Sequence, residues 1–231
     1  MSEVLNPALA VKKVLAVATA IPQLAVVGIS GPGDPLANPE RTFATFRKLS
    51  EQAPDLKLCL STNGLVLPDL VDVLCAHKVS HVTITINCID PAVGAEIYPW
   101  IFWKKRRVEG LEGARIFIER QQKSLEMLLE RGVLVKINSV VIPGVNDVYL
   151  RAVAKFVKAK GAFLHNLMPL IAAAKHGTFA LGLLGEDRCR EFTLDKIEHR
   201  EVDCSKATAV RRRVHVAIEA DRAADLQAPA P

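Results

Sequence analysis

Five apolar, strand-like runs, each ending in small or polar residues, constrain this chain more than any other feature. In order they are Val26 to Pro35, Leu58 to Gly64, His81 to Asn87, Val135 to Asp147 and Phe163 to Leu170. The stretches between them carry helical spacing. That alternation predicts parallel strands joined by crossover helices, with the polar strand ends gathered on one face. In barrel-like α/β folds ligands bind at that C-terminal face, so a site is expected to be built from these five tails.

With 231 residues, half of them apolar, the chain can bury a substantial core in one domain. The net charge of +5 is only mildly basic. The densest basic runs, Lys104 to Arg107 and Arg211 to Arg213, read as solvated turns or helix faces. No ladder of stacking aromatics accompanies them, so no nucleic-acid partner is expected. No apolar run approaches the length of a membrane span, and the N-terminus lacks the order of regions of a signal peptide. A cytoplasmic protein without a membrane partner is the expectation. Cys59, Cys75, Cys88, Cys189 and Cys204 are odd in number, scattered and never in CxxC spacing, which suits reduced thiols better than disulfides. Taken alone, the chain shows no metal motif.

Residues Pro7 to Ala20 read as a helix. Asn38 is placed to cap a second helix with Pro39 in its first turn, and Phe43, Phe46 and Leu49 follow as its inward face. Pro68 opens another helix through about His77. In the third strand Thr83, Thr85 and Asn87 point one way and Val82, Ile84 and Ile86 the other. Cys88 to about Gly113, with Tyr98, Pro99, Trp100 and Trp103, reads as a long irregular insertion, a type of segment that is usually functional or mobile. A helix is expected from Ala114 to Arg131. Asn146 is placed to cap a further helix over Asp147 to Lys160, with Leu150, Val153 and Val157 buried and Gly161 just past its end. Ala172 to Gly185 has no clear period. The tail from about Phe192 reads as charged and partly helical, fraying at its end.

The blocks GISGPGDPLANPE, LCLSTNGL, HVTITIN, NSVVIPGVND and GAFLHNLMPLI, in this order, strongly resemble the NifB family, radical-SAM proteins of nitrogenase cofactor biosynthesis. The resemblance runs from about residue 3 to about residue 198. It implies a partial (β/α)6 barrel of the radical-SAM, TIM-like type, here without its first strand. Residues 1–198 would form this incomplete barrel and 199–231 a charged, partly helical tail. The implied cofactors are S-adenosylmethionine (SAM) and [4Fe-4S] clusters. The implied activity is a lyase-like fusion of [4Fe-4S] cluster pairs with a SAM-derived carbon, giving the iron–sulfur–carbide precursor of the iron–molybdenum cofactor. Nitrogenase cofactor assembly proteins and iron–sulfur scaffold proteins are the implied partners.

For the SAM half of that chemistry the resemblance points to Gly33, Thr85 and Ile137. Gly31 and Gly33 leave backbone groups open to the methionine end of the ligand, and Asp34 is placed to attract its ammonium. Without the resemblance, GPGDP reads as a plain strand-to-helix turn, Thr85 as a core threonine bonded to its own backbone and Ile137 as core packing. Thr62, Asn63, Asn87, Asn138 and His165 are further candidates for the cofactor site, and His165 reads equally as a core histidine bonded to a carbonyl.

Two departures from the family matter. The chain begins downstream of the place where the CxxxCxxC cluster motif should lie. In addition, Gly177-Thr178-Phe179 and Gly182 to Arg188 almost abut where the family carries a CxxC segment. Site-differentiated iron needs three thiolates, and no replacement is evident, so no metal ligand or catalytic residue is assigned. Cys88, just past Asn87, is the one cysteine near the expected mouth. Without the first strand the sheet is expected to have an exposed edge, a hazard that proteins normally cover. Three functional readings follow: the radical-SAM enzyme, a cluster-free SAM-binding or docking pseudoenzyme of the nitrogenase assembly pathway, and a barrel enzyme that uses GPGDP as a phosphate turn.

Overall fold

The computed structural model describes residues 5–30 and 33–170, together with the backbone of 213–216. The chain divides into two compact units, one of Met1–Thr62, Asp69–Val82 and Asp203–Pro231, the other of Asn63–Pro68 and Thr83–Val202. The fold is of the expected α/β class, with parallel strands and intervening helices.

In the first unit, helix α1 spans Pro7–Ala20 as its composition predicts. Asn6 caps it, its Oδ1 accepting the Leu9 amide at 2.9 Å, and Ala10, Val11 and Val14 are buried. Strand β1, Val26–Ile29, is followed by helix α2, Pro39–Gln52. Phe46 and Leu49 are fully buried there, while Phe43 is half-buried and stacks on the His77 ring with centroids 5.3 Å apart. Asn38 stands at the cap position but forms no side-chain cap bond. Its backbone, at φ −130° and ψ 73°, lies outside the extended region from which a capping side chain usually turns back. Strand β2, Lys57–Thr62, pairs parallel with β1, Val26 opposite Lys57. The helix expected from Pro68 is broken into a 3-10 turn, Leu67–Asp69, and the short α3, Val71–Ala76. Strand β3, Val79–Thr85, starts in this unit and ends in the other.

The open edge expected beside β1 is covered. Backbone residues Arg213–Val216 form a strand, here β8, parallel to β1 with Val26 opposite Arg213 and Ile29 opposite Val216. This part of the tail is therefore extended, not helical. The pairing engages the edge groups that β1 would otherwise present.

In the second unit the irregular insertion proves to be regular structure. Helix α4, Pro91–Ile97, starts at Asp90, whose Oδ1 accepts the Ala92 amide at 2.8 Å. Strands β4, Trp100–Trp103, and β5, Arg106–Glu109, form an antiparallel hairpin in register Trp100 to Glu109. Lys104 and Lys105 make its two-residue turn, both left-handed at φ 49° and 63°. Such turns normally announce themselves by Asn-Gly, so Lys-Lys hid the hairpin from the sequence. Helix α5 runs from Gly110 to Glu130, starting before the expected Ala114. Gly113 allows this early start, because a Cβ there would lie 2.6 Å from the Val108 carbonyl oxygen. Ile101, Val108 and Phe117 form the small core under the hairpin.

Strand β6, Leu134–Val141, pairs parallel with β7, Leu164–Pro169, placing Ile137 opposite His165 and Asn138 opposite Asn166. Between them helix α6, Leu150–Lys160, buries Leu150, Val153 and Val157 and closes on Gly161 at φ 97°. Asn146 does not cap it. The fully buried Asn146 amide instead donates to the carbonyls of Asn87 at 2.9 Å and Val140 at 2.8 Å, and its Oδ1 accepts the Ile142 amide at 2.7 Å. A PGVND turn thus closes on itself and ties down the end of β6. Among the described residues no helix is long and apolar enough to cross a membrane.

Two outcomes follow for stability. Asn146→Ala strands three backbone groups, two of them in buried bonds, and is expected to cost about 3 kcal/mol in urea denaturation, with Asn146→Asp no milder because its carboxylate would face two carbonyls. Gly113→Ala pushes a methyl into the Val108 carbonyl and is expected to cost about 2 kcal/mol by the same measurement.

Candidate functional site

Parallel strands end in carbonyl groups that must be satisfied without closing the face where a ligand binds. The first unit holds three described candidates, and Gly31 lies outside the described residues. Gly33 takes φ +85°, a conformation that glycine adopts freely, and no atom lies within 4 Å of where its Cβ would be. The described residues leave that space open. The Asp34 carboxylate is already engaged: Oδ1 accepts the Leu36 amide at 2.8 Å, and the Thr62 hydroxyl reaches Oδ2 at 2.8 Å and Oδ1 at 3.0 Å. This is the plain strand-to-helix turn, built on a half-buried carboxylate.

The second unit holds the other six. The Asn63–Leu65 turn is gripped by one face of α5. Gln121 Nε2 donates to the carbonyls of Asn63 and Thr85, each at 2.7 Å, and Arg120 Nε donates to the Leu65 carbonyl at 2.8 Å. The Ser124 hydroxyl lies 3.1 Å from the Gly64 carbonyl and 2.8 Å from that of Arg120. Three consecutive turn carbonyls are thus met by a single helix. Gly64, at φ +87°, is obligatory here, since a Cβ would press on Gln121 and Ile84 at 3.1 Å. The amide oxygen of Gln121 is buried without a hydrogen-bond partner. The exposed Asn63 turns its Oδ1 back to the Leu65 amide at 2.8 Å.

Thr85 is half-buried, and its hydroxyl has no hydrogen-bond partner among the described residues. Asn87 is spent on structure. Its Oδ1 accepts the Val140 amide at 2.8 Å, its carbonyl takes Asn146, and Tyr98 also hydrogen-bonds to it. Burial, more than the neighbouring Cys88, pushes the Tyr98 phenol above its usual range. Ile137 is completely buried. Asn138 is the most suggestive residue, because its Oδ1 is buried and unpartnered. A buried polar atom without a partner is costly and calls for an explanation, and a bound ligand is one.

His165 is not a lone core histidine. Ser139, fully buried, donates its one hydroxyl proton to the Ile86 carbonyl, so the 2.8 Å contact to His165 Nε2 must be donated by the ring. That assignment leaves Nδ1 as an acceptor. Burial holds the His165 pKa below its ordinary value, which keeps the neutral ring dominant at neutral pH.

The cysteines do not suit a cluster. Cys59 and Cys88 are buried and Cys75 is half-buried. Cys88 packs against Val93 and Ile118, and burial, with Asp90 adding to it, pushes its thiol up to about 12. Thiolates, not thiols, bind iron. No group of three or more potential ligands occurs among the described residues, so no step through a cluster is assigned to them. Cys189 and Cys204 lie outside the described residues. For SAM the second unit's donors fit better: a free hydroxyl at Thr85 and an orphaned amide oxygen at Asn138. Sequence reading missed Arg120, Gln121, Ser124 and Ser139. Gln121 and Ser124 interrupt the buried stripe of Phe117, Leu125 and Leu128, and polar residues in such a stripe were the available signal.

Comparison with known proteins agrees with the strand-end pattern. The model of the radical SAM superfamily matches residues 3–157. The FeMo cofactor biosynthesis protein NifB of Azotobacter vinelandii is 54% identical, the match covering 95% of this chain and 51% of that protein. The protein of the same name from Herbaspirillum seropedicae is 48% identical, covering 100% of this chain and 50% of that one. The chain therefore spans about half the length of these relatives. A solved structure, a radical SAM methyltransferase from Sphaerobacter thermophilus, shares the fold at 20% identity with a TM-score of 0.55, covering 81% of this chain and 55% of its own. The chain belongs to the radical SAM superfamily, and the relatives it resembles at about half identity over nearly its whole length are NifB proteins.

Proposed function

We propose that this chain serves iron–molybdenum cofactor biosynthesis as a SAM-binding radical-SAM protein. In that role it acts on [4Fe-4S] cluster pairs and a SAM-derived carbon to give the iron–sulfur–carbide precursor. The likeness to NifB across 95% of the chain carries this reading. In the second unit the residues that would contact SAM are the Thr85 hydroxyl, the Asn138 amide and the apolar Ile137; in the first unit the Gly33 backbone, with Gly31 two residues before it, is a separate candidate contact. SAM supplies the adenosyl group and the carbon, while these residues bind and orient it and keep water out. Asp34 and Thr62 shape their turn, Gln121 fixes the carbonyls of Asn63 and Thr85, and Asn87 holds the end of β6. His165 Nδ1 offers a neutral acceptor. Partners on this reading are iron–sulfur scaffold and nitrogenase cofactor assembly proteins, which bring the clusters and receive the product.

A second reading is a cluster-free module that binds SAM or docks in the same assembly pathway. The apolar burial of Cys88 and the absence of a ligand group among the described residues favour it.

Equilibrium dialysis against SAM, together with anaerobic reconstitution by iron, sulfide and a strong reductant, separates the two. The expected result is saturable SAM binding, weakened about tenfold by Thr85→Val and by Asn138→Ala, each of which removes one ligand hydrogen bond. Release of 5′-deoxyadenosine after reconstitution would establish the enzyme. Binding without cleavage would establish the SAM-binding module, and no binding at all would overturn the enzyme and the SAM-binding module alike.

A further inference from the structure

We propose that the hairpin Trp100–Glu109 is a docking surface for an acidic protein. Strand alternation splits its residues. Ile101 and Val108 point into the core with Phe117, whereas Trp100 and Phe102 face outward at 47% and 63% exposure. Two adjacent large aromatics left this open are costly on an isolated surface, and they are the residue types that anchor protein interfaces.

The charge around them is one-sided. From Trp100 to Arg120 the sequence has six cationic residues, four of them consecutive at Lys104 to Arg107, against three glutamates. Arg106 pairs with Glu112 at 3.4 Å and Arg107 with Glu109 at 2.7 Å. Neither turn lysine has an acidic partner among the described residues. Both also occupy left-handed backbone, where Asn and Gly would sit at less strain. Two strained lysines at the tip of an aromatic hairpin are explained by the charge that they present. A partner that complements them is anionic and carries an apolar spot for Phe102.

The same geometry argues against nucleic acid. Arg107 lies 4.9 Å over the Trp100 ring, and Arg120 and Lys104 lie 4.7 and 5.9 Å from that of Trp103. The ring faces on which bases would stack are occupied by the protein's own cations. The platform also has a mechanical connection. Arg120 joins the Trp103 ring to the Leu65 carbonyl, and Leu65 packs on the core under the hairpin. The hairpin thus shares contacts with the turn that carries Asn63. Docking needs neither SAM nor a cluster.

The chain's two tryptophans both lie in this hairpin, so its intrinsic tryptophan emission reports on this surface directly. The probe is a random glutamate–tyrosine copolymer titrated into the full chain, with excitation restricted to tryptophan. The expected result is a saturable change in emission that weakens as salt is raised. The double variant Lys104→Asn, Lys105→Gly should bind about tenfold more weakly and Phe102→Ser several-fold more weakly, the losses typical of interface anchors. The double variant suits the turn better than the natural pair, so its weakness cannot come from misfolding. The proposal is overturned if no saturable change occurs or if the double variant binds as the natural chain does. It is also overturned if single-stranded oligothymidylate binds more tightly than the copolymer.

Discussion

The second unit depends on how its backbone carbonyls are satisfied where strands end. A strand interior solves this problem by its ladder, but a tail that must leave room for a ligand has no neighbouring strand to bond. The solution here is side-chain amides and hydroxyls reaching in from helices and turns. Gln121 serves two strand ends at once, Asn146 serves two carbonyls and one amide, and Ser139 serves Ile86. Because each of these side chains is nearly or fully buried, an error at any of them leaves an unpaired group that water cannot rescue. The exceptions then stand out. Two buried amide oxygens are left unpaired, Gln121 Oε1 and Asn138 Oδ1; Gln121 is fixed by its own donations, so Asn138 is the candidate ligand contact.

Much of this was readable before any coordinates. The five apolar runs end in strands, α1 has the predicted bounds, and Leu150, Val153 and Val157 form the buried face of α6. Those features rest on local periodicity and on caps within one turn of the chain. Asn146 shows where local reading stops. Its position before a helix is that of a cap, but partners at Asn87 and Val140 compete for the same amide, and the tertiary bonds win. The hairpin was missed for a different reason. Its turn uses lysines where glycine and asparagine carry the signal, and its four-residue strands are too short for alternation to register. The strand at Arg213–Val216 was obscured by the charged sequence around it, and the edge of β1 gives it a role.

The candidate site was legible in part and for a definable reason. Residues at strand ends could be named from order alone, since the tails of an α/β fold must gather its polar side chains. Which of them are free could not, because that depends on partners distant in sequence. Thr62 donates to Asp34, Asn63 folds onto its own turn and Asn87 ties down β6, so three plausible contacts are engaged in framework bonds. Thr85 and Asn138 stand apart from them. Similar residue types in similar positions thus divide into framework and candidate contacts only once the hydrogen bonds are counted.

The parallel pairing of β8 with β1 has a consequence for how the protein is made. Both units are discontinuous in sequence, and all of the second, Asn63–Pro68 and Thr83–Val202, is synthesised before the strand that completes β1's edge. During translation β1 therefore waits, with one row of backbone groups open, while the second unit emerges and folds. Such a long-range closure is slow and leaves the nascent chain exposed to association through that edge. The order of assembly would then run opposite to the order of synthesis: the later-made unit settles first, and the edge of β1 is finished last.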